Sequence, residues 1–316
     1  MAVSTSRLEV SARVATDIGV AEDPALDLSL PPKFVSLTEN DDPVSSLKQN
    51  VLIQGHAKVA LRLLPQTSIQ TVVTSPPYWS LRDYDVAQQI GCDESLTDYI
   101  HEIVDTFEEL RRVLRSDGTV WLNIGDAYTS GNRRYRAPDK KNRARAMAMR
   151  PPTPEGLKPK DLIGLPWRLA FALQEAGWWL RSEVIWSKPN AHPESVRDRP
   201  TKSHETVFLL SKNQDYFYDV DAVRGPNLRR LRTTWDIPTE PRKRVTENLD
   251  DHPAIMPATL AERCIALTSR CGDVVLDPYA GSGTTLIAAQ CMERRWVGVE
   301  LKPAFVEQME QRLINW

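Results

Sequence analysis

Residues Val274–Thr285, reading Val-Val-Leu-Asp-Pro-Tyr-Ala-Gly-Ser-Gly-Thr-Thr, admit few backbone solutions. An apolar run stops at Asp277, Gly281 and Gly283 follow, and a helical pattern opens at Thr284 and runs to about Met292. A second apolar run, Trp296–Val299, ends in Glu300, 23 positions after Asp277. Strand, glycine loop, helix and strand in this order read as a parallel α/β unit. The glycines let the backbone approach a ligand closely, and the helix amino end presents free N–H groups. An acid about 20 residues beyond such a loop is where nucleoside-binding folds read ribose hydroxyls. Thr284 stands where a phosphate-binding P-loop has Lys, and Leu286 where a dinucleotide fingerprint has its third glycine. The loop alone leaves the nucleoside-bearing ligand open.

Two hundred residues earlier, the apolar run Ile69–Val73 leads into Thr74-Ser75-Pro76-Pro77-Tyr78-Trp79. A β-branched run ending in two prolines predicts a buried strand that stops abruptly. Side chains at such a carboxyl edge face the crevice where open α/β sheets bind ligands. The prolines stiffen a rim that carries one hydroxyl, carbonyl acceptors and flat aromatics. That rim suits a planar substrate bearing an amino group.

Ser75-Pro76-Pro77-Tyr78 resembles the catalytic motif of the amino-group DNA methyltransferases, which methylate an exocyclic nitrogen of cytosine or adenine. The Ser form is usual in the cytosine-N4 branch, and Asp or Asn stands first more often in the adenine-N6 branch. The glycine-loop unit resembles the S-adenosylmethionine pocket of the same family. Its implied cofactor-binding residues are Asp277, Pro278, Ala280, Gly281, Ser282, Gly283, Thr284 and Glu300. Pro257, in His252-Pro253-Ala254-Ile255-Met256-Pro257, belongs to the segment that in the family packs beside the methionine end of the cofactor. The implied fold is α/β, a Rossmann-like S-adenosylmethionine-dependent methyltransferase with a mixed, mostly parallel sheet. The catalytic half comes first, a target-recognition region next and the cofactor half last, the circular arrangement of the beta group. The resemblance covers about residues 50–316.

Composition is ordinary for a soluble globular protein, with 41% apolar and 26% charged residues. No run of eighteen apolar residues exists, and no secretion signal is read at the amino end, so no membrane partner is expected. Cys92, Cys264, Cys271 and Cys291 lack metal-ligand spacing, which argues against zinc and for a reducing compartment, read as the cytoplasm. The net charge of −2 hides two basic stretches, residues 131–160 at +8 and residues 224–244 at +5. Positive charge gathered in loop-like segments is an electrostatic footprint for a polyanion, and the resemblance implies double-stranded DNA as that partner.

Residues 1–46 lack a sustained period and read as a flexible arm; a short element closing over the pocket is the alternative. Residues 47–316 form the methyltransferase domain. Val51–Gln54 reads as a strand, and His56 stands where the family usually has Asp near the cofactor adenine. Ser95 and Asp98 make a capping signature for a helix ending at Asp117-Gly118, with a strand at Thr119–Ile124. Asp126 faces the cleft or caps a loop. The proline-containing basic loop 131–160, with Arg133 and Arg134, is placed over the DNA backbone. Pro166 starts a helix that Gly177 stops, and Trp178–Trp186 reads as a strand. The segment Trp186-Ser187-Lys188-Pro189-Asn190, followed by Arg199-Pro200-Thr201-Lys202-Ser203-His204-Glu205, resembles the target-base side of the family's cleft. Lys188 is read there as a pocket wall, and Trp186 as pocket wall or core. Target recognition is assigned to about 213–250, with Arg229, Arg230 and Arg232 suited to guanine or phosphate.

The resemblance implies a direct displacement at the sulfonium, with the Ser75 hydroxyl and Pro76 carbonyl accepting the amino hydrogens. The target base flips out of the duplex and stacks on Tyr78, with Trp79 in reserve. Methylation at cytosine C5 would need a cysteine nucleophile, typically after proline, and no Pro-Cys pair occurs. Cytosine-N4 methylation is the leading reading. Adenine-N6 methylation, another substrate such as RNA or a protein glutamine, and a catalytically silent DNA-binding module are the alternatives. A separate cognate restriction endonuclease and a monomeric or homodimeric state complete the expectation.

Overall fold

A computed structural model describes residues 31–36, 44, 47–81, 83–84, 86–92, 94–130, 151–191, 193–225, 228–240 and 256–314. Arg133, Arg134, most of the arm and most of the basic loop lie outside the described residues. Among the described residues, nine strands form one sheet: β1 Lys33–Ser36, β2 Val51–Gln54, β3 Ile69–Thr74, β4 Leu114–Ile124, β5 Trp179–Ser187, β6 His204–Ser211, β7 Thr234–Asp236, β8 Val274–Asp277 and β9 Arg295–Glu300. Their order is β1-β2-β9-β8-β3-β4-β6-β5-β7. Of these, only β6 runs against the rest, pairing antiparallel with β4 and β5.

The described helices cover the two faces: α1 Ala57–Leu63, α2 Leu96–Val113, α3 Leu165–Glu175, α4 Ala258–Thr268, α5 Thr284–Cys291 and α6 Pro303–Ile314. Successive strand side chains point to opposite faces, so each strand feeds two cores. Val72, Val120, Leu122, Leu276 and Val297 join the core under α1–α3. Their neighbours Val73, Trp121, Val275 and Trp296 join the core under α4–α6. The central strands β2, β3, β8 and β9 are therefore buried on both faces rather than on alternate residues.

Three boundaries differ from the sequence reading. Lys33–Ser36, inside the expected arm, is an edge strand in parallel register with β2, extended by a bond from Lys33 N to the Asn50 carbonyl. Helix α2 starts at the Ser95 cap, whose hydroxyl accepts from Asp98 N at 3.1 Å. It stops at Val113 rather than Asp117-Gly118, because Leu114 already pairs with Ile69 and residues 115–118 bulge before Thr119 pairs with Thr71. Within the expected recognition region, β7 adds to the β5 edge, and Trp235 is buried 5.8 Å from Trp121.

β8 and β3 sit side by side at the centre, and the chain leaves them in opposite directions, to β9 and to β4. Such a switch point opens a crevice beyond the strands' carboxyl ends. The glycine loop after β8 and Ser75–Tyr78 after β3 both emerge there.

Candidate active site

The crevice has two halves joined by one bond. Thr74, the last residue of β3, donates its hydroxyl to Asp277 Oδ1, at the end of β8, at 2.7 Å. Tyr279 N donates to the same oxygen at 3.1 Å. Burial nonetheless pushes the Asp277 carboxyl up to about 6, against the bonds that favour its charge. Glu300, ending β9, accepts from Gly281 N at 2.9 Å and Lys302 N at 2.8 Å, and burial pushes it also up to about 6.

The loop between them is shaped by its glycines. Gly283 caps α5 at φ +77°, and a Cβ there would meet Met309 Cγ of α6 at 2.9 Å. Only glycine satisfies both the left-handed backbone and this approach. The Ala280 N–H bonds the Val299 carbonyl at 2.8 Å, and the Ser282 and Thr284 hydroxyls are 3.2 Å apart. Pro278 follows Asp277, and Pro257 is the buried amino cap of α4, with Met256 packed against the α4–α6 core. Two buried carboxylates, a glycine loop that offers its backbone and an apolar side chain at Met256 are a donor set that fits a cationic nucleoside such as S-adenosylmethionine. His56 stands at the amino cap of α1 with no side-chain capping bond, and burial lowers its imidazole.

The other half is a hydrogen-bonded cluster around Tyr78. Ser75 Oγ donates to Tyr78 Oη at 3.2 Å, and Tyr78 Oη donates to Glu205 Oε2 at 2.7 Å. Asn123 Nδ2, from β4, donates to Tyr78 Oη at 3.0 Å and to Glu205 Oε2 at 2.9 Å. Lys188 Nζ donates to Glu205 Oε1 and lies 4.2 Å from the centre of the Trp186 ring. Burial raises the Glu205 carboxyl, but the Lys188 charge and the bonds from Lys188, Tyr78 and Asn123 outweigh it and hold it below the usual range. Burial, then the Glu205 charge, drives Tyr78 well above its ordinary value, so the phenol stays a neutral donor. The Tyr78 ring lies on Gly125, where a Cβ would come within 2.7 Å of Cε2.

Pro76 and Pro77 differ in what their carbonyls do. Tyr99 Oη donates to the Pro77 carbonyl at 2.8 Å, whereas no described residue donates to the Pro76 carbonyl. Trp79 corrects the sequence reading: it is 5% exposed, packs in the α1–α3 core, and donates Nε1 to the Glu94 carbonyl at 2.9 Å. A ring fixed this way cannot receive a base. Trp186 is likewise core, donating to the Ile237 carbonyl at 2.8 Å. Asp126 is a loop cap: Oδ1 accepts from Ala127 N at 2.9 Å and Leu165 N at 3.1 Å, fixing the start of α3.

Glu205 and Asn123 join the Tyr78 cluster although the sequence does not single them out. Glu205 follows Lys202-Ser203-His204 and Asn123 sits inside the strand before Gly125, but only the β4–β6 register sets them beside Tyr78. Arg229, Arg230 and Arg232 are exposed in the segment just ahead of β7, and no described carboxylate pairs with them.

Comparison with known proteins agrees with this layout. A family profile described as DNA methylase (N6_N4_Mtase) matches residues 69–311. The chain is 51% identical over 286 residues to the Type II methyltransferase M.Cfr9I of Citrobacter freundii, covering 89% of this chain and 93% of that protein. It is 50% identical over 277 residues to the Type II methyltransferase M.SmaI of Serratia marcescens, covering 86% and 93%. The putative DNA modification methylase TTHA0409 of Thermus thermophilus, solved with S-adenosyl-L-methionine, superposes with a TM-score of 0.58 at 27% identity over 84% of this chain and 94% of its own. The PvuII DNA methyltransferase (cytosine-N4-specific) gives 0.64 at 18% identity over 92% and 94%, a likeness of fold. From the profile and these identities, the chain belongs to the N6/N4 DNA methylase family.

Proposed function

We propose that this DNA methyltransferase moves a methyl group from S-adenosylmethionine to the exocyclic N4 of cytosine in duplex DNA. The observation that supports the reading is the bond between Thr74 and Asp277, which ties the strand leading into Ser75 to the strand leading into the glycine loop. Asp277, Pro278, Ala280–Thr284, Glu300 and Pro257 hold the cofactor, the two carboxylates matching its positive charge and ribose hydroxyls. When bound, the cofactor supplies a methyl carbon made electrophilic by a positively charged sulfur.

The amino nitrogen of cytosine is a poor nucleophile, because its lone pair is delocalised into the ring. Acceptors that grip its two hydrogens draw it toward tetrahedral geometry and free that pair. Ser75 Oγ and the Pro76 carbonyl are these acceptors, and the engagement of the Pro77 carbonyl by Tyr99 supports choosing Pro76 over Pro77. Positioning does much of the remaining work. Lys188 and Tyr78 form the wall of the pocket that takes the flipped base. The hydroxyl of Ser75, rather than a carboxylate or amide, supports cytosine as the target.

Residues 213–250 read the sequence, with Arg229, Arg230 and Arg232 reaching the DNA; exchange with the same segment of a relative should move the preference. Arg133 and Arg134 contact the phosphate backbone. The similarity to Type II methyltransferases supports a role beside a separate restriction endonuclease, in the cytoplasm, as a monomer or homodimer. No described helix is long and apolar enough to cross a membrane.

The test is to incubate the protein with labelled S-adenosylmethionine and mixed-sequence duplex DNA, digest the product and identify the modified nucleoside by mass. N4-methylcytosine is expected. N6-methyladenine would overturn the base assignment and leave the cofactor assignment standing.

A further inference from the structure

The methyl-transfer reaction leaves one proton to be removed, and serine by itself is a weak base. The Ser75 hydroxyl does not end at Ser75. It donates to Tyr78 Oη at 3.2 Å, which donates to Glu205 Oε2 at 2.7 Å, so the hydrogen bonds point one way along a chain of three groups. Asn123 Nδ2 braces the same line, reaching Ser75 Oγ at 3.4 Å, Tyr78 Oη at 3.0 Å and Glu205 Oε2 at 2.9 Å. Lys188 neutralises the far oxygen of Glu205. Both charged side chains are less than a fifth exposed, so this is a built arrangement rather than a surface ion pair.

We propose that Glu205 is the terminal proton acceptor of the reaction, taking the amino proton through Ser75 and Tyr78. This inference rests on the amino-methylation reading above. As the amino nitrogen bonds the methyl carbon, the carbon–sulfur bond breaks with its electron pair left on sulfur. The proton shed by nitrogen passes to Ser75 Oγ, the Ser75 proton to Tyr78 Oη, and the Tyr78 proton to Glu205 Oε2. Nitrogen, serine and tyrosine all end neutral, Glu205 ends as a neutral acid, and its proton is later exchanged with water. A methylated aromatic amine that still carries its extra proton is a strong acid, so even a carboxylate stabilised by Lys188 accepts that proton readily. Tyr78 thereby acquires a role beyond stacking, and its hydroxyl is the link that a phenylalanine lacks.

Glu205→Gln keeps the shape of the acceptor and removes its basicity; Tyr78→Phe keeps the ring and cuts the relay. Single-turnover methylation of duplex DNA with cofactor saturating should slow by about a hundredfold or more in each. Cofactor affinity, measured separately by calorimetry, should stay within about twofold of wild type and so establishes folding. A readout that a purely structural role would not move is the pH profile between about pH 7 and 9. The wild-type rate should be flat there, whereas the Glu205→Gln rate should climb with pH, because hydroxide must take the proton instead. Lys188, Lys202 and Tyr78 are the titratable groups facing Glu205, and all three are retained in that variant. A Glu205→Gln enzyme with a wild-type rate and a flat profile would overturn the relay while methylation stands. If Glu205→Gln fails to fold, Tyr78→Phe decides by rate and pH profile together: a slow enzyme whose rate climbs between about pH 7 and 9 supports the relay, and a wild-type rate or a flat profile overturns it. A wild-type protein that methylates no DNA would overturn the relay and the proposed function together.

Discussion

Thr74 and Asp277 stand 203 positions apart, yet the Thr74 hydroxyl donates to Asp277 Oδ1 at 2.7 Å inside the sheet. The bond ties the end of the strand that carries Ser75 to the end of the strand that starts the glycine loop. Replacing Thr74 by Val keeps the shape and leaves a buried carboxylate short of a donor. That loss should cost about 1–3 kcal/mol. The Asp277 carboxyl should rise further above about 6. Urea unfolding of the variant checks this; an unchanged midpoint would show that the bond contributes nothing.

Asp277 and Glu300 both have folded-state values raised to about 6 by burial, above the ordinary carboxyl range. An acid with a raised folded value favours the folded state while protonated. Its contribution is complete below about pH 4 and is lost as pH rises through about 6, roughly 3 kcal/mol for Asp277. Free-protein stability attributable to these groups should therefore fall from about pH 4 to 6. Cofactor affinity should move the other way, strengthening from about pH 5 to 7 as the carboxylates ionise to meet a cationic ligand. Calorimetric titration in two buffers of different ionisation heat would reveal the proton release; affinity independent of pH would exclude this pairing.

Gly125 lies flat under Tyr78, and an added Cβ would sit 2.7 Å from the ring's Cε2. Gly125→Ala should push the phenol off Glu205 and Asn123 and slow methylation by roughly tenfold or more. Cofactor affinity should hold, because the glycine loop is at the other half of the crevice. Parallel rate and binding measurements separate the two; equal losses in both would point to general unfolding.

Ser75→Ala should lower single-turnover methylation by about a hundredfold or more, removing one acceptor of the amino hydrogens. DNA and cofactor binding should change little. An alanine variant with full activity would remove Ser75 from the chemistry.

Arg229, Arg230 and Arg232 are exposed in the segment just ahead of β7. Changing all three to Ala should weaken DNA binding and reduce the slope of log affinity against log salt by up to about 0.9 for each phosphate no longer neutralised. Cofactor binding should be unaltered. A salt slope equal to wild type would mean that these arginines do not neutralise phosphates.

The local elements are legible in the sequence because each carries its own punctuation. Asp277, Gly283 and Glu300 mark a strand end, a helix cap and the next strand end through backbone geometry that a short window contains. Ser95 with Asp98 fixes the start of α2 in the same way. The end of α2 is not legible, because Leu114 fits both periods and only its pairing with Ile69 makes it strand. Trp79 reads as an aromatic on an exposed rim until the bond to the Glu94 carbonyl and the packing of the surrounding core are seen.

The motif chemistry of Ser75–Tyr78 and of the glycine loop was therefore set by sequence alone, since both are contiguous and their order implies which halves of the crevice they form. What only the tertiary structure decided is the company they keep. Glu205 of β6 and Asn123 of β4 meet Tyr78, and Lys188, just after β5, meets Glu205, because β6 runs antiparallel between β4 and β5 in one particular register. A one-residue slip of β6 would turn Glu205 to the opposite face and leave the same motif without its carboxylate.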